Sequence, residues 1–112
     1  MKNMVRAALG VALLAGTAGA AGVQAQADQG QKVFAAQKCV ICHAVAAVGN
    51  KKGPLDGIGA KLSADEIRQW ITDAPTMAAK VKAERKPAMK AYATLPKGDL
   101  DALVAYLESL KK

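Results

Sequence analysis

Cys39-Val40-Ile41-Cys42-His43 is the one stretch whose residue types and spacing imply a particular chemistry. C-x-x-C-H is the pattern of covalent haem attachment. The two thiols add across the vinyl groups of the porphyrin, and the adjoining imidazole is carried onto the iron. Two intervening residues let both sulfurs reach one face of the macrocycle. Both cysteines and the single histidine of the chain lie inside these five positions. A zinc site takes four protein ligands, or three plus water, and three adjacent residues cannot surround a tetrahedral ion. A thioredoxin-like dithiol calls for a βαβ context, and no alternating β-rich runs are present. A structural disulfide between Cys39 and Cys42 would close a very small, strained loop. Haem attachment is the reading that remains strongest.

Something must deliver the motif to where haem is attached. Lys2 and Arg6 precede an apolar run from Ala7 to about Ala21, and Ala25-Gln26-Ala27 has the small-x-small form of a signal cleavage site. The run is rich in Ala and Gly and shorter than the ~20 residues that span a bilayer. The pattern predicts a cleaved signal peptide over 1–27, with cleavage after Ala25 as the neighbouring alternative, and export to the periplasm. Residues 28–112 then form one 85-residue domain. A domain this small has a marginal core and usually needs a staple, which a covalent haem would supply.

The elements that position the motif are read from periodicity and punctuation. Asp28–Gln37 predicts a short helix with Val33 and Phe34 apolar, and the turn-formers of Gly49–Gly59 predict a loop. Ser63-Ala64-Asp65-Glu66 is a capping box, with Leu62 and Ile67 at hydrophobic-staple positions. The helix it opens carries Ile67, Trp70 and Ile71 on one face and should stop before Pro75. Thr76 is placed to cap another short helix to about Ala83. Arg85–Pro96, with two prolines, reads as an ordered loop. Leu100, Leu103, Val104, Leu107 and Leu110 mark an amphipathic last helix with Asp99 near its start. The expected architecture is all-α, three to five helices with long loops.

The chain resembles a small class I cytochrome c of the bacterial periplasmic type. The likeness covers 28–112 and rests on Gly30 and Phe34, Cys39 to His43, Gly53-Pro54-Leu55, Lys86-Pro87-Ala88-Met89, and Leu103-Val104-Ala105-Tyr106-Leu107, in the family's order. The resemblance implies that the first and last helices cross beside the haem, with Gly30 and Phe34 meeting Leu103 and Tyr106. It also implies that a backbone carbonyl at the Gly-Pro turn, here Pro54, orients the proximal His43.

With one histidine, a second imidazole on the iron is excluded for a monomer, and a thioether is the remaining soft donor. Met1 and Met4 leave with the leader, so Met77 and Met89 remain. Met77 opens a predicted helix, where core filling is the ordinary role of methionine. Met89 lies in a loop that can drape across the far haem face, and it matches the family's ligand position, although Lys90 stands where the family often has proline. Met89 is the expected distal ligand; Met77 and an open sixth position are the alternatives. Trp70 and Tyr92 have polar tips that could reach haem propionates or water, or serve core packing alone.

Removing Lys2 and Arg6 leaves 14 basic against 9 acidic residues, a balance of +5. Lys80, Lys82, Arg85, Lys86 and Lys90 crowd the Met89 loop with only Glu84 against them. Such a field steers an acidic partner, or it is simply a solvated basic face. Nothing points to nucleic acid. The resemblance therefore implies a monomeric, periplasmic electron shuttle that turns over no substrate. A cytochrome subunit held in an oxidoreductase complex, for example in sulfur-compound oxidation, is the second reading. A haem enzyme with an open sixth site is the third.

Overall fold

The structure, a computed structural model, describes residues 18–112. Most of the expected leader lies outside them. Among the described residues there are five helices and one small hairpin. The order is α1 (Ala18–Ala36), a 3-10 turn (Cys39–Ile41), β1 (Ala44–Val45), β2 (Val48–Gly49), α2 (Ile58–Lys61), α3 (Ala64–Thr72), α4 (Ala74–Lys80) and α5 (Lys97–Glu108). No helix of the described residues is long and apolar enough to cross a membrane.

Among the described residues the first helix already runs from Ala18, ten residues before the expected Asp28, through an Ala- and Gln-rich stretch that has high helix propensity and meets no proline. It ends where Lys38 takes a left-handed conformation, φ 60°. That turn throws the chain directly into the cysteine motif. The hairpin was not anticipated. Its two-residue connection, Ala46-Ala47, has φ of 51° and 66°, the primed turn that suits antiparallel strands but is normally signalled by Asn-Gly or Asp-Gly. Within the expected Gly49–Gly59 loop, Gly49 ends β2 and α2 begins at Ile58.

The capping box forms as read. Ser63 Oγ accepts the Glu66 amide at 3.1 Å, and Glu66 Oε1 accepts the Ser63 amide at 3.0 Å. Helix α3 ends at Thr72, and α4 follows after one residue. That second helix begins at Ala74, two residues before Thr76, because Pro75 is tolerated in a first turn whose amides are unpaired anyway. The Thr76 hydroxyl donates back to the Asp73 carboxylate at 2.9 Å, and α4 stops at Lys80, short of Ala83.

The core joins α1, α3 and α5: Val33, Phe34, Ile67, Ile71, Leu103, Val104, Tyr106 and Leu107 are buried together. Phe34 and Tyr106 meet edge to face, centroids 5.6 Å apart at 64°, a geometry worth about 0.5–1.5 kcal/mol beyond area burial. Helices α1 and α5 approach so closely that a Cβ on Gly30 would stand 2.6 Å from Tyr106 Cβ and nearer still to the Ala102 carbonyl oxygen. Gly30 thus meets Ala102 and Tyr106, with Leu103 one residue further into the core. Arg68 and Asp101, 2.8 Å apart, tie α3 to α5 at the surface.

Candidate haem site

The motif occupies the tight turn between α1 and β1. Cys39 and Cys42 are free thiols, both half-buried. Burial pushes the Cys39 thiol above its ordinary pKa, the cysteine's own backbone amide opposing and the neighbouring Cys42 adding to it.

His43 is held by a single contact that decides its chemistry. Its Nδ1 lies 3.1 Å from the Gly53 carbonyl oxygen. A carbonyl only accepts, so Nδ1 carries the hydrogen and Nε2 keeps its lone pair, as a metal-ligating imidazole requires. Desolvation pushes the ring below its usual pKa, the Gly53 bond opposing and the positive charge of Arg85 adding to the fall. The neutral ring is the ligating form. The acceptor is Gly53 and not Pro54, which the resemblance had implied. The physical reason is register: Ala44 bridges to Pro54, the Ala44 amide also donates to Gly53 O at 3.0 Å, and the Leu55 amide donates to Ala44 O at 2.8 Å. That pairing turns the Gly53 carbonyl toward residues 43–44.

Every carbonyl of the five-residue motif receives a donor. Cys39 O accepts the Cys42 and His43 amides at 3.1 and 2.9 Å. Asn50 serves three more: its amide donates to Val40 O at 3.0 Å and to His43 O at 3.1 Å, and its Nδ2 donates to Ile41 O at 3.1 Å. The fifth, Cys42 O, takes a bond from the Arg85 guanidinium. Sequence reasoning missed Asn50 and Arg85 in these roles. Asn50 stood out only as part of a Gly-Asn turn, and Arg85 only as one charge among several.

Met77 is buried on α4, 8 % exposed, and is part of the core. Met89 differs: of residues 81–91 it is the one that is not exposed. Four residues before it, Arg85 is fixed to the Cys42 carbonyl, and three residues after it, the Tyr92 amide donates to Ile71 O at 2.7 Å. Tyr92 packs on the core, and burial raises its phenol pKa, with Cys39 and Cys42 close enough to add to the rise. The Lys90 ammonium sits 5.0 Å above the Tyr92 ring, so both residues are committed to packing and cation–π contact. Trp70 is half-buried on α3.

These groups fit a covalently bound haem. Two thiols lie one turn apart, the next residue presents an imidazole whose Nδ1 is held by a carbonyl, and the half-buried Val40, Leu55, Leu62, Tyr92 and Leu95 pack against the core, as Cys39 does.

Comparison with known proteins gives the same identity. The sequence profile described as Cytochrome c matches residues 27–111. The chain is also similar to a protein of Alkalihalophilus pseudofirmus named cytochrome c oxidase subunit 2, with 32% identity over 94 residues, covering 76% of this chain and 26% of that protein. This chain thus spans about a quarter of the length of the curated relative it matches. No solved structure matches.

Proposed function

The chain belongs to the cytochrome c family, a family of haem proteins of electron transport, and we propose that it is an exported one-electron shuttle with His43 and Met89 as axial ligands. Cys39 and Cys42 hold the haem by thioether bonds, and Gly53 O aims the His43 ring. When bound, the haem supplies a one-electron iron couple, which Met/His ligation keeps at a higher potential than bis-histidine ligation would. The residues around it keep the motif in one shape. With all five motif carbonyls engaged, the turn has little freedom to rearrange between oxidation states, which suits a carrier.

The observation that carries the ligand assignment is the partial burial of Met89 between two anchored neighbours, Arg85 and Tyr92, in an otherwise exposed segment. Met77 is already committed to the core. With both axial positions filled, no site is left for a substrate, which supports a carrier over an enzyme. We further propose, from the basic start, apolar run and Ala25-Gln26-Ala27 pattern of the sequence, that residues 1–27 are a signal peptide and that 28–112 is a mature periplasmic chain acting as a monomer. The exposed cations at 80, 82, 85, 86 and 90 make no ion pair among the described residues and favour a partner with an acidic docking surface.

The similarity to an oxidase subunit supports a second reading, a cytochrome domain held permanently in an oxidoreductase complex. It is distinguished by co-purification with a larger protein from the native source. The test of the first reading is the absorption spectrum of the purified ferric holoprotein beside that of Met89→Ala, with the intact mass recorded. The expected result is a weak charge-transfer band at the red end that disappears in the variant, and a mass beginning at Asp28. A band that survives in the variant removes Met89 as ligand, and one absent from the parent protein favours an open sixth site.

A further inference from the structure

The Met89 loop has one side chain that reaches back to the haem-binding turn. Arg85 donates through Nη2 to the carbonyl of Cys42, 43 positions earlier in the chain. Its guanidinium also lies against Gly53, where an added Cβ would stand 2.8 Å from Arg85 Cζ. Gly53 is the residue whose carbonyl holds His43. Arg85 therefore touches the backbone of one thioether cysteine and the backbone that aims the proximal ligand, from the segment that carries Met89.

We propose that Arg85 is a positioning residue that clamps the 81–96 loop onto the haem-binding turn and keeps an un-neutralised positive charge beside the proximal side of the haem. The guanidinium is always protonated, and among the described residues it makes no ion pair. The other outward carbonyls of the motif are served by the neutral Asn50; Cys42 alone receives a charged donor, and charge-assisted bonds are about twice as strong as neutral ones. A fixed cation here disfavours the oxidation state that carries more positive charge, so it stabilises ferrous over ferric iron and raises the reduction potential. Arg85 is exposed, and salt screens exposed charges, so the effect should weaken as ionic strength rises. A side chain at Gly53 would displace the clamp.

This inference rests on the haem and on His43 but needs no methionine ligand. The test compares parent, Arg85→Lys and Arg85→Gln holoproteins by spectroelectrochemical titration at low and high salt, and by amide hydrogen exchange over residues 83–94. R85Q should shift the midpoint potential downward, more at low than at high salt, and speed loop exchange severalfold. R85K should keep most of the potential while the loop still exchanges faster, because an ammonium cannot reproduce the guanidinium fork. An unchanged potential or unchanged exchange in R85Q overturns the proposal, as does an R85K potential equal to that of R85Q. Should R85Q not accumulate as holoprotein, R85K decides by itself: retained potential with faster loop exchange is expected, and unchanged exchange overturns the clamp. Loss of the Met89 assignment would show in the red charge-transfer band and leaves both of these readouts intact.

Discussion

At the scale of single residues, the site depends as much on backbone acceptors as on the cysteines and histidine. Asn50 is the clearest case, since one residue closes three carbonyls of the motif. Asn50→Ala keeps the two backbone bonds and removes both side-chain bonds, Nδ2 to Ile41 O at 3.1 Å and the Lys52 amide to Oδ1 at 3.0 Å. Leaving a polar group unsatisfied costs about 1–3 kcal/mol when buried, and both bonds are exposed, so the expected loss is near the lower figure. Thermal unfolding of the holoprotein reads it as a lowered Tm, with the Soret spectrum of the folded protein unchanged. An unaltered Tm would mean that water replaces the Asn50 side chain at no cost. The residues that carry covalent chemistry were legible from spacing alone; Asn50 and Gly53 were not, because their roles are set by which carbonyl the Ala44–Pro54 bridge turns inward.

At the scale of elements, the crossing of α1 and α5 fixes where the motif sits relative to the core. Gly30 sits where the crossing is tightest, against a backbone carbonyl that has no rotamer by which to retreat. Gly30→Val should therefore separate the helices and cost about 3 kcal/mol or more, the upper range for overpacking. Denaturant unfolding would show this as a reduced midpoint with the slope kept, and a midpoint like that of the parent would mean that the helices are free to move apart. The capping box and the amphipathic last helix were legible because their signals are local. The hairpin was not, since Ala46-Ala47 holds a left-handed turn only because β1 and β2 pair around it. The start of α4 was misplaced for a similar reason: residue preference allowed several beginnings, and the turn at Asp73 chose among them.

At the scale of the whole molecule, a small, basic domain is organised around one cofactor site. The cations from Lys82 to Lys90 fall on the loop that Arg85 and Tyr92 pin near the motif, and Lys80 ends α4 just before it. Electron exchange with an anionic redox reagent should slow severalfold between about 10 mM and about 150 mM ionic strength, as the Debye length falls from ~30 Å to ~8 Å. Stopped-flow rates across that range measure it, and a salt-independent rate would reduce the cations to a solvated face.

The sequence by itself determined the cofactor and the C-x-x-C-H motif that fits it, because those depend on spacing within five residues and on the absence of any other histidine or cysteine. It also determined the helical class and the first and last helices, through periodicity and close-packing glycine. Tertiary structure alone decided which carbonyl lies against His43, that Met77 is buried on α4 while Met89 is the half-buried residue of an exposed segment, and that Arg85 reaches the Cys42 backbone. Each of these depends on how separate segments pair or pack, and no local pattern encodes a carbonyl's direction or the far end of an arginine.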